Sequence, residues 1–182
     1  MAERKYYKLN VAGLTRDLPI CPVSETLDIA GFVIFGDIEL TKACASELIK
    51  KIPEHDYMIT AEAKGIPLLY EMARQLDEKK HFVARKGLKA YMTDPLCVSV
   101  KSITTEKVQT LYLDGEDAKL MKGKKILVID DVISTGESLL AIEKLVESAG
   151  GIVCGRAAIL AEGDAIDRKD IVYLQELPLF FK

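Results

Sequence analysis

The chain has 182 residues, enough for one domain of ordinary size with a real core. Its 25 basic and 28 acidic residues leave a net charge of −3 with neither sign in a long block, which excludes the basic footprint of a nucleic-acid binder. Four cysteines without a C-x-x-C pair and two isolated histidines, His55 and His81, give no support to a zinc or haem site and predict reduced thiols in a cytoplasmic protein.

The N-terminal "MAERKYYKLN" has no apolar run of roughly 7–15 residues behind its charges, so no secretory leader is expected. The longest apolar stretch, "GIVCGRAAILA", carries Arg156 and is too short for the ~20 apolar residues of a membrane span. A soluble protein with no membrane partner is expected.

Short apolar runs alternate with helical patterns along the chain, which predicts βα units and a parallel sheet covered by helices. Residues 39–52 place Leu40, Cys44, Leu48 and Ile52 on one helical face, and Pro53 ends the pattern. "YMITA" (57–61) reads as a buried strand. "GIPLLYEMARQL" (65–76) reads as a helix with Pro67 in its first turn, where a missing N–H costs nothing. "HFVAR" (81–85) is the next strand.

Between Lys86 and Lys125 the helical period vanishes. "CVSVKSI" and "VQTLYLD" alternate polar and apolar residues around "TTEK", predicting a two-stranded excursion with an exposed, mobile tip. "KKILVID" is a strand, and Leu139, Ile142, Leu145, Val146 and Ala149 form the stripe of a following helix that Gly150 and Gly151 stop. "GIVCGRAAILA" and "DIVYLQEL" supply the last strands.

The segment "ILVIDDVISTGES" (126–138) concentrates the chemistry. A buried strand over Ile126 to Ile129 followed by a sharp turn places its loop at the carboxyl end of the sheet, where ligands of open α/β sheets bind. Ser134, Thr135, Gly136, Glu137 and Ser138 open a helix, and its unpaired N–H groups and positive dipole end suit a phosphomonoester. Asp130 and Asp131 would repel that anion unless their oxygens face another part of the ligand. A vicinal diol donates two hydroxyl protons to a carboxylate, so the loop reads as a ribose 5-phosphate site. Paired acids after an apolar strand also occur in the metal sites of receiver-type domains, and "STGES" alone reads as an ordinary helix cap.

The thirteen-residue run resembles the phosphoribosyl-pyrophosphate (PRPP) signature of the type I phosphoribosyltransferases. The adenine phosphoribosyltransferase branch is the one most resembled: "AEAKGIP" (61–67) is similar to its pyrophosphate loop, "ARKGLK" (84–89) to its "RK…K" segment, and "GFVIFGDIEL" to the opening of its first core helix. The resemblance covers about residues 29–161.

It implies an α/β fold with a parallel sheet, helices on both faces, a small hood over the base and a mobile β loop. The whole of 1–182 would be one such domain, with a core of about 31–175 and a hood drawn from about 1–30, including "LTRDLPICPV", and from the C-terminal "YLQELPLFF". It further implies transfer of the phosphoribosyl group of PRPP to a purine, adenine giving AMP and pyrophosphate. Asp130 and Asp131 would hold the ribose and favour its oxocarbenium-like state, Ser134 to Ser138 would hold the 5-phosphate, and Ala63, Lys64 and Gly65 would meet the pyrophosphate. Arg85, Lys86 and Lys89 would add charge there, across a homodimer interface as in relatives, and Lys101 or Lys107 would add more from the loop. Mg²⁺ would arrive with PRPP rather than in a protein cage.

Two departures bear on the base. Leu113 in "LYLDG" stands where the adenine branch carries a glutamate in its "LEYG"-like segment, with Asp114 and Glu116 nearby as substitutes, and "RKPGKLP" is kept only in part as "RKGLKAY". Other readings are a transferase for xanthine, hypoxanthine or guanine and a PRPP-sensing regulator without turnover. The stretch ahead of Ile29 is too short for the DNA-binding domain such repressors carry.

Overall fold

The computed structural model describes residues 4–101 and 108–182. The excursion tip with Lys107, and the side chain of Lys101, lie outside the described residues. Five parallel strands form the central sheet in the order β10-β9-β8-β4-β5: β4 (Tyr57–Ala61), β5 (Phe82–Ala84), β8 (Lys125–Ile133), β9 (Ile152–Glu162) and β10 (Ile171–Leu177).

Strand β8 is central because its sequence suits burial on both sides. Leu127 and Ile129 enter one core with Leu40, Cys44 and Leu48 of α1 (Ile38–Ile49) and Leu68, Leu69 and Met72 of α2 (Ile66–Gln75). Ile126 and Val128 enter the other with Leu139, Ile142 and Leu145 of α4 (Glu137–Ser148) and Met121 of α3 (Gly115–Met121). Helices therefore cover both faces, as a sheet built from βα crossovers requires.

A second sheet, β1-β2-β3-β11, is antiparallel: β1 (Tyr6–Val11), β2 (Leu14–Pro22), β3 (Leu27–Ala30) and β11 (Leu179–Phe181). Its first hairpin turns on Ala12 and Gly13, both at positive φ (52° and 76°), the two-residue geometry that matches strand twist. Leu9, Val11 and Leu18 bury this sheet on the α1/α2 side of the core. Arg16 on β2 ties it to α1 through both oxygens of Asp37, at 2.6 and 3.1 Å. Asp37 also caps α1 by accepting the Leu40 N–H, and the Arg16 guanidinium holds its carboxyl below the usual range.

The excursion between β5 and β8 is a hairpin of β6 (Leu96–Lys101) and β7 (Val108–Leu113), packed on the α4 side by Val100, Leu111 and Leu113. Four details differ from the sequence reading. Helix α1 stops at Ile49, because residue 52 precedes Pro53 and is driven from the helical region. Asp114 caps α3, a helix of 7 residues too short to show a period. Only Leu179–Phe181 of "YLQELPLFF" joins the second sheet, while Tyr173 to Leu177 lie in edge strand β10. Strand β8 runs through Asp130 and Asp131 to Ile133, because β9 continues to pair with it as far as Ala161.

Leu145 is fully buried between α4 and the sheet. Leu145→Ala should destabilise the fold by about 2–5 kcal/mol, read as a lower urea midpoint at unchanged slope. A change under about 0.5 kcal/mol, typical of a surface site, would refute this packing.

Candidate active site

The strand order reverses between β4 and β8, since the chain continues from β4 to β5 on one side and from β8 to β9 and β10 on the other. Such a switch point opens a crevice at the carboxyl ends of the two strands. Here the crevice is bounded by residues 62–65 after β4 and 134–136 after β8.

The loop after β4 is pressed against the acid pair. The Glu62–Ala63 peptide is cis, and Gly65 caps α2 with Pro67 in the first turn. A Cβ at Gly65 would stand 2.2 Å from Thr60 Oγ1 and 3.2 Å from Asp130 Oδ1, so only glycine fits without movement. Lys64 Nζ reaches Asp131 Oδ2 at 3.1 Å. This is an ion pair without an aligned hydrogen bond, and Asp131 Oδ2 stays unbonded although its side chain is only 3% exposed. A buried acceptor in that state favours a donor brought by a ligand.

Asp130 lies beside Asp131 and accepts the Asp131 N–H at 2.8 Å. Burial, reinforced by the neighbouring Asp131 charge, pushes the Asp130 carboxyl up to about 7. Glu162, at the end of β9, is raised by burial as well, and Lys64 partly opposes that shift. Its Oε1 is buried without a hydrogen-bond partner among the described residues.

The second loop leads into the head of α4. Gly136 sits at φ 77° as the cap of α4, with no side-chain cap bond over the first turn. Thr135 and Ser138 are exposed, Ser134 and Glu137 half-buried, and Ser138 Oγ donates to Gln109 Oε1 at 3.3 Å. Residues 132–139 and Asp130 line a hollow of about 60 Å³. An adjoining hollow of about 200 Å³ is lined by Ala61, Glu62, Ala63, Lys64, Lys86, Asp130, Asp131, Val132 and Ser138, so Asp130 stands where the two hollows meet, with Asp131 on the larger side.

Of the residues singled out in the sequence, the structure gathers Ala63, Lys64, Gly65, Lys86, Asp130, Asp131 and the whole of 134–138 around this crevice. Arg85 is turned aside. Its guanidinium pairs with Glu62 at 3.0 Å and donates to Tyr91 Oη at 2.9 Å, while its backbone bridges to Tyr112 in both directions. Lys89 contributes charge near Glu62 without lining either hollow. Glu62, Val132 and Glu162 escaped the sequence reading of the site. Glu62 lay inside the loop already quoted, whereas Glu162 is brought in only by strand pairing.

No cluster of three or more metal-ligating side chains occurs among the described residues. The two adjacent carboxylates are hard oxygen donors, and a Mg²⁺ ion with several waters and ligand phosphates needs no more than one or two of these. The donor set therefore fits that ion.

The architecture is shared with solved adenine phosphoribosyltransferases. That from Thermoanaerobacter pseudethanolicus superposes with a TM-score of 0.73 at 21% identity, over 87% of this chain and 95% of that one. The Trypanosoma brucei enzyme, solved with AMP, pyrophosphate and ribose-5-phosphate, gives 0.62 at 18% identity over 95% and 76%. The fold is thus that of the type I phosphoribosyltransferases. The profile of the phosphoribosyl transferase domain matches residues 36–176, and the chain belongs to that family. Among curated relatives, an adenine phosphoribosyltransferase of Brachyspira hyodysenteriae is 34% identical over 64% of this chain and 65% of its own length. A hypoxanthine/guanine phosphoribosyltransferase of Methanococcus voltae is 32% identical over 69% and 64%. The chain spans just under two thirds of the length of these relatives.

The raised Asp130 carboxyl has a measurable sign. Its pKa lies near 7 when folded against about 3.9 unfolded, so its ionisation opposes folding increasingly as pH rises through this window. Asp130→Asn should therefore gain melting temperature relative to the native chain on going from pH 4.5 to pH 8. Parallel melting curves across that range would show that the acid is not buried in this way.

Proposed function

We propose that the chain is a purine phosphoribosyltransferase that transfers the phosphoribosyl group of PRPP to a purine, with adenine as the favoured acceptor. The observation that carries the reading is the junction at Asp130, with Asp131 beside it: on one side the small hollow at the head of α4, and on the other a second hollow lined by Lys64 and Lys86. PRPP is an anion at both ends with a diol between, and the crevice has the same order.

In this reading residues 134–138 hold the 5-phosphate with backbone N–H groups at the head of α4. Asp131 Oδ2, buried and lacking a hydrogen bond, accepts from a ribose hydroxyl. Lys64, Lys86 and the N–H groups of Ala63 and Gly65 face the pyrophosphate. A purine nitrogen attacks the anomeric carbon as its bond to pyrophosphate breaks and the electron pair leaves with that group, while the purine's ring N–H proton passes to solvent or to the departing pyrophosphate. The ribose gains positive charge, and the carboxyl pair fixed beside it lowers the barrier without reorganising, with Asp130 contributing as it ionises near pH 7. Mg²⁺ arriving with PRPP would neutralise phosphate charge, and Asp130 and Asp131 are the oxygen donors that would be available to hold it.

The adenine assignment is supported by the structural neighbours and by the Brachyspira relative, and the Methanococcus relative supports hypoxanthine or guanine as the alternative acceptor. The homodimer reading is supported by Leu88 and Tyr91, large apolar side chains left 61% and 64% exposed within the segment that also holds Lys86 and Lys89. A cytoplasmic setting suits four free cysteines.

The test is incubation with PRPP, Mg²⁺ and each of adenine, hypoxanthine, guanine and xanthine, with nucleotide and pyrophosphate followed together. AMP should form fastest, and absence of nucleotide from every base would sink the reading. Asp131→Asn, which keeps shape and loses charge, should lower kcat/KM by roughly 100-fold.

A further inference from the structure

Arg168 lies outside every segment discussed above, in the turn between the 3₁₀ turn Gly163–Asp167 and β10. Its Nε and Nη2 donate to the two oxygens of Asp170 at 3.0 and 2.6 Å, a bidentate clamp that fixes the guanidinium plane. Asp170 is held in turn by Arg156 of β9 at 3.4 Å, and Arg156 pairs with Glu143 of α4. The fixed plane presents its remaining nitrogen to the head of α4: a Cβ at Gly136 would lie 3.0 Å from Arg168 Nη1.

Gly136 is thus constrained twice, by its positive φ and by the guanidinium beside the place a side chain would take. From these contacts we propose that Arg168, oriented by Asp170, is a positioning residue for the phosphate loop and adds a fixed positive charge at the 5-phosphate end of the ligand. The proposal rests on the PRPP reading of that loop and names a cation which the loop's own sequence lacks, since "STGES" contains no basic residue. A phosphomonoester held by backbone N–H groups alone would have only partial charges opposite it. Arg168 supplies a whole charge from a neighbouring strand connection, and the Asp170 clamp removes the side-chain entropy that an arginine otherwise loses on binding.

Calorimetric titration of the full chain with ribose 5-phosphate and, separately, with pyrophosphate tests it, alongside KM for PRPP and for adenine. Arg168→Gln should raise Kd for ribose 5-phosphate and KM for PRPP by roughly 10–100-fold, with pyrophosphate affinity and KM for adenine unchanged. Arg168→Lys should recover part of the loss, because charge returns without the clamp. Asp170→Asn breaks the same pair yet keeps the guanidinium charge, so it should weaken ribose 5-phosphate less than Arg168→Gln does. Unchanged ribose 5-phosphate affinity in Arg168→Gln overturns the proposal, as do equal losses for both ligands or equal damage from Asp170→Asn. If the native chain binds ribose 5-phosphate through Arg168 but makes no nucleotide, the transferase reading fails while the role of Arg168 stands.

Discussion

The site depends on one constraint: β8 is buried on both faces, yet its last turns carry two carboxylates. Leu127 and Ile129 face one core, Ile126 and Val128 the other, and the strand does not end before the acids but continues in register with β9 to Ile133. A charge on a central strand is costly unless something opposite compensates it. The only cation paired with the two acids among the described residues is Lys64, and that pair leaves Asp131 Oδ2 without a hydrogen bond. The folded protein therefore holds a buried acceptor in a state that a donor-bearing ligand improves.

The neighbouring loops follow from that strand. Gly65 brings the first loop within contact of Asp130, and a side chain there would force Thr60 or the acid itself to move. Three residues separate the end of β8 from the start of α4, so the acid pair and the head of that helix are spaced by the strand rather than by a flexible linker. Asp131 faces only the larger hollow, whereas Asp130 lines both. Arg85 shows the same economy in reverse: Glu62 and Tyr91 take up its guanidinium, which leaves Lys64 and Lys86 as the basic side chains lining the larger hollow.

Much of this was legible because it is written in contiguous residues. The alternating apolar runs announced β4, α2, β8 and α4, and "DDVISTGES" carried acid pair and helix head together. What escaped the sequence is what tertiary pairing assembles. The extension of β8 through the acids needs the partner strand β9, which no local pattern displays. The hairpin over Ala12 and Gly13 lacks the Asn-Gly signal of such turns, and α3 is shorter than two helical turns. Glu162 and Arg168 lie more than twenty residues past the motif and reach it only because β9 lies beside β8.

The base is a separate problem from PRPP, and the structure shows why similarity to relatives divides on it. Leu113, at the place of the adenine branch's glutamate, is 1% exposed within the core of the α4 face. Asp114 accepts the N–H groups of Thr93 and Glu116, and Glu116 pairs with Lys119, so both nearby acids are engaged in holding α3 and its approach. The loop acid thus has no free counterpart in 113–116, whatever base is bound. An adenine enzyme at 34% identity and a hypoxanthine/guanine enzyme at 32% match the chain about equally well, so similarity does not choose the base. In the transferase reading, discrimination must then come from the antiparallel sheet, whose position over the core is set by Arg16 on Asp37. Exchanging residues of the 134–138 loop or the acid pair would scale turnover of every purine alike, and only changes in that sheet would reorder them.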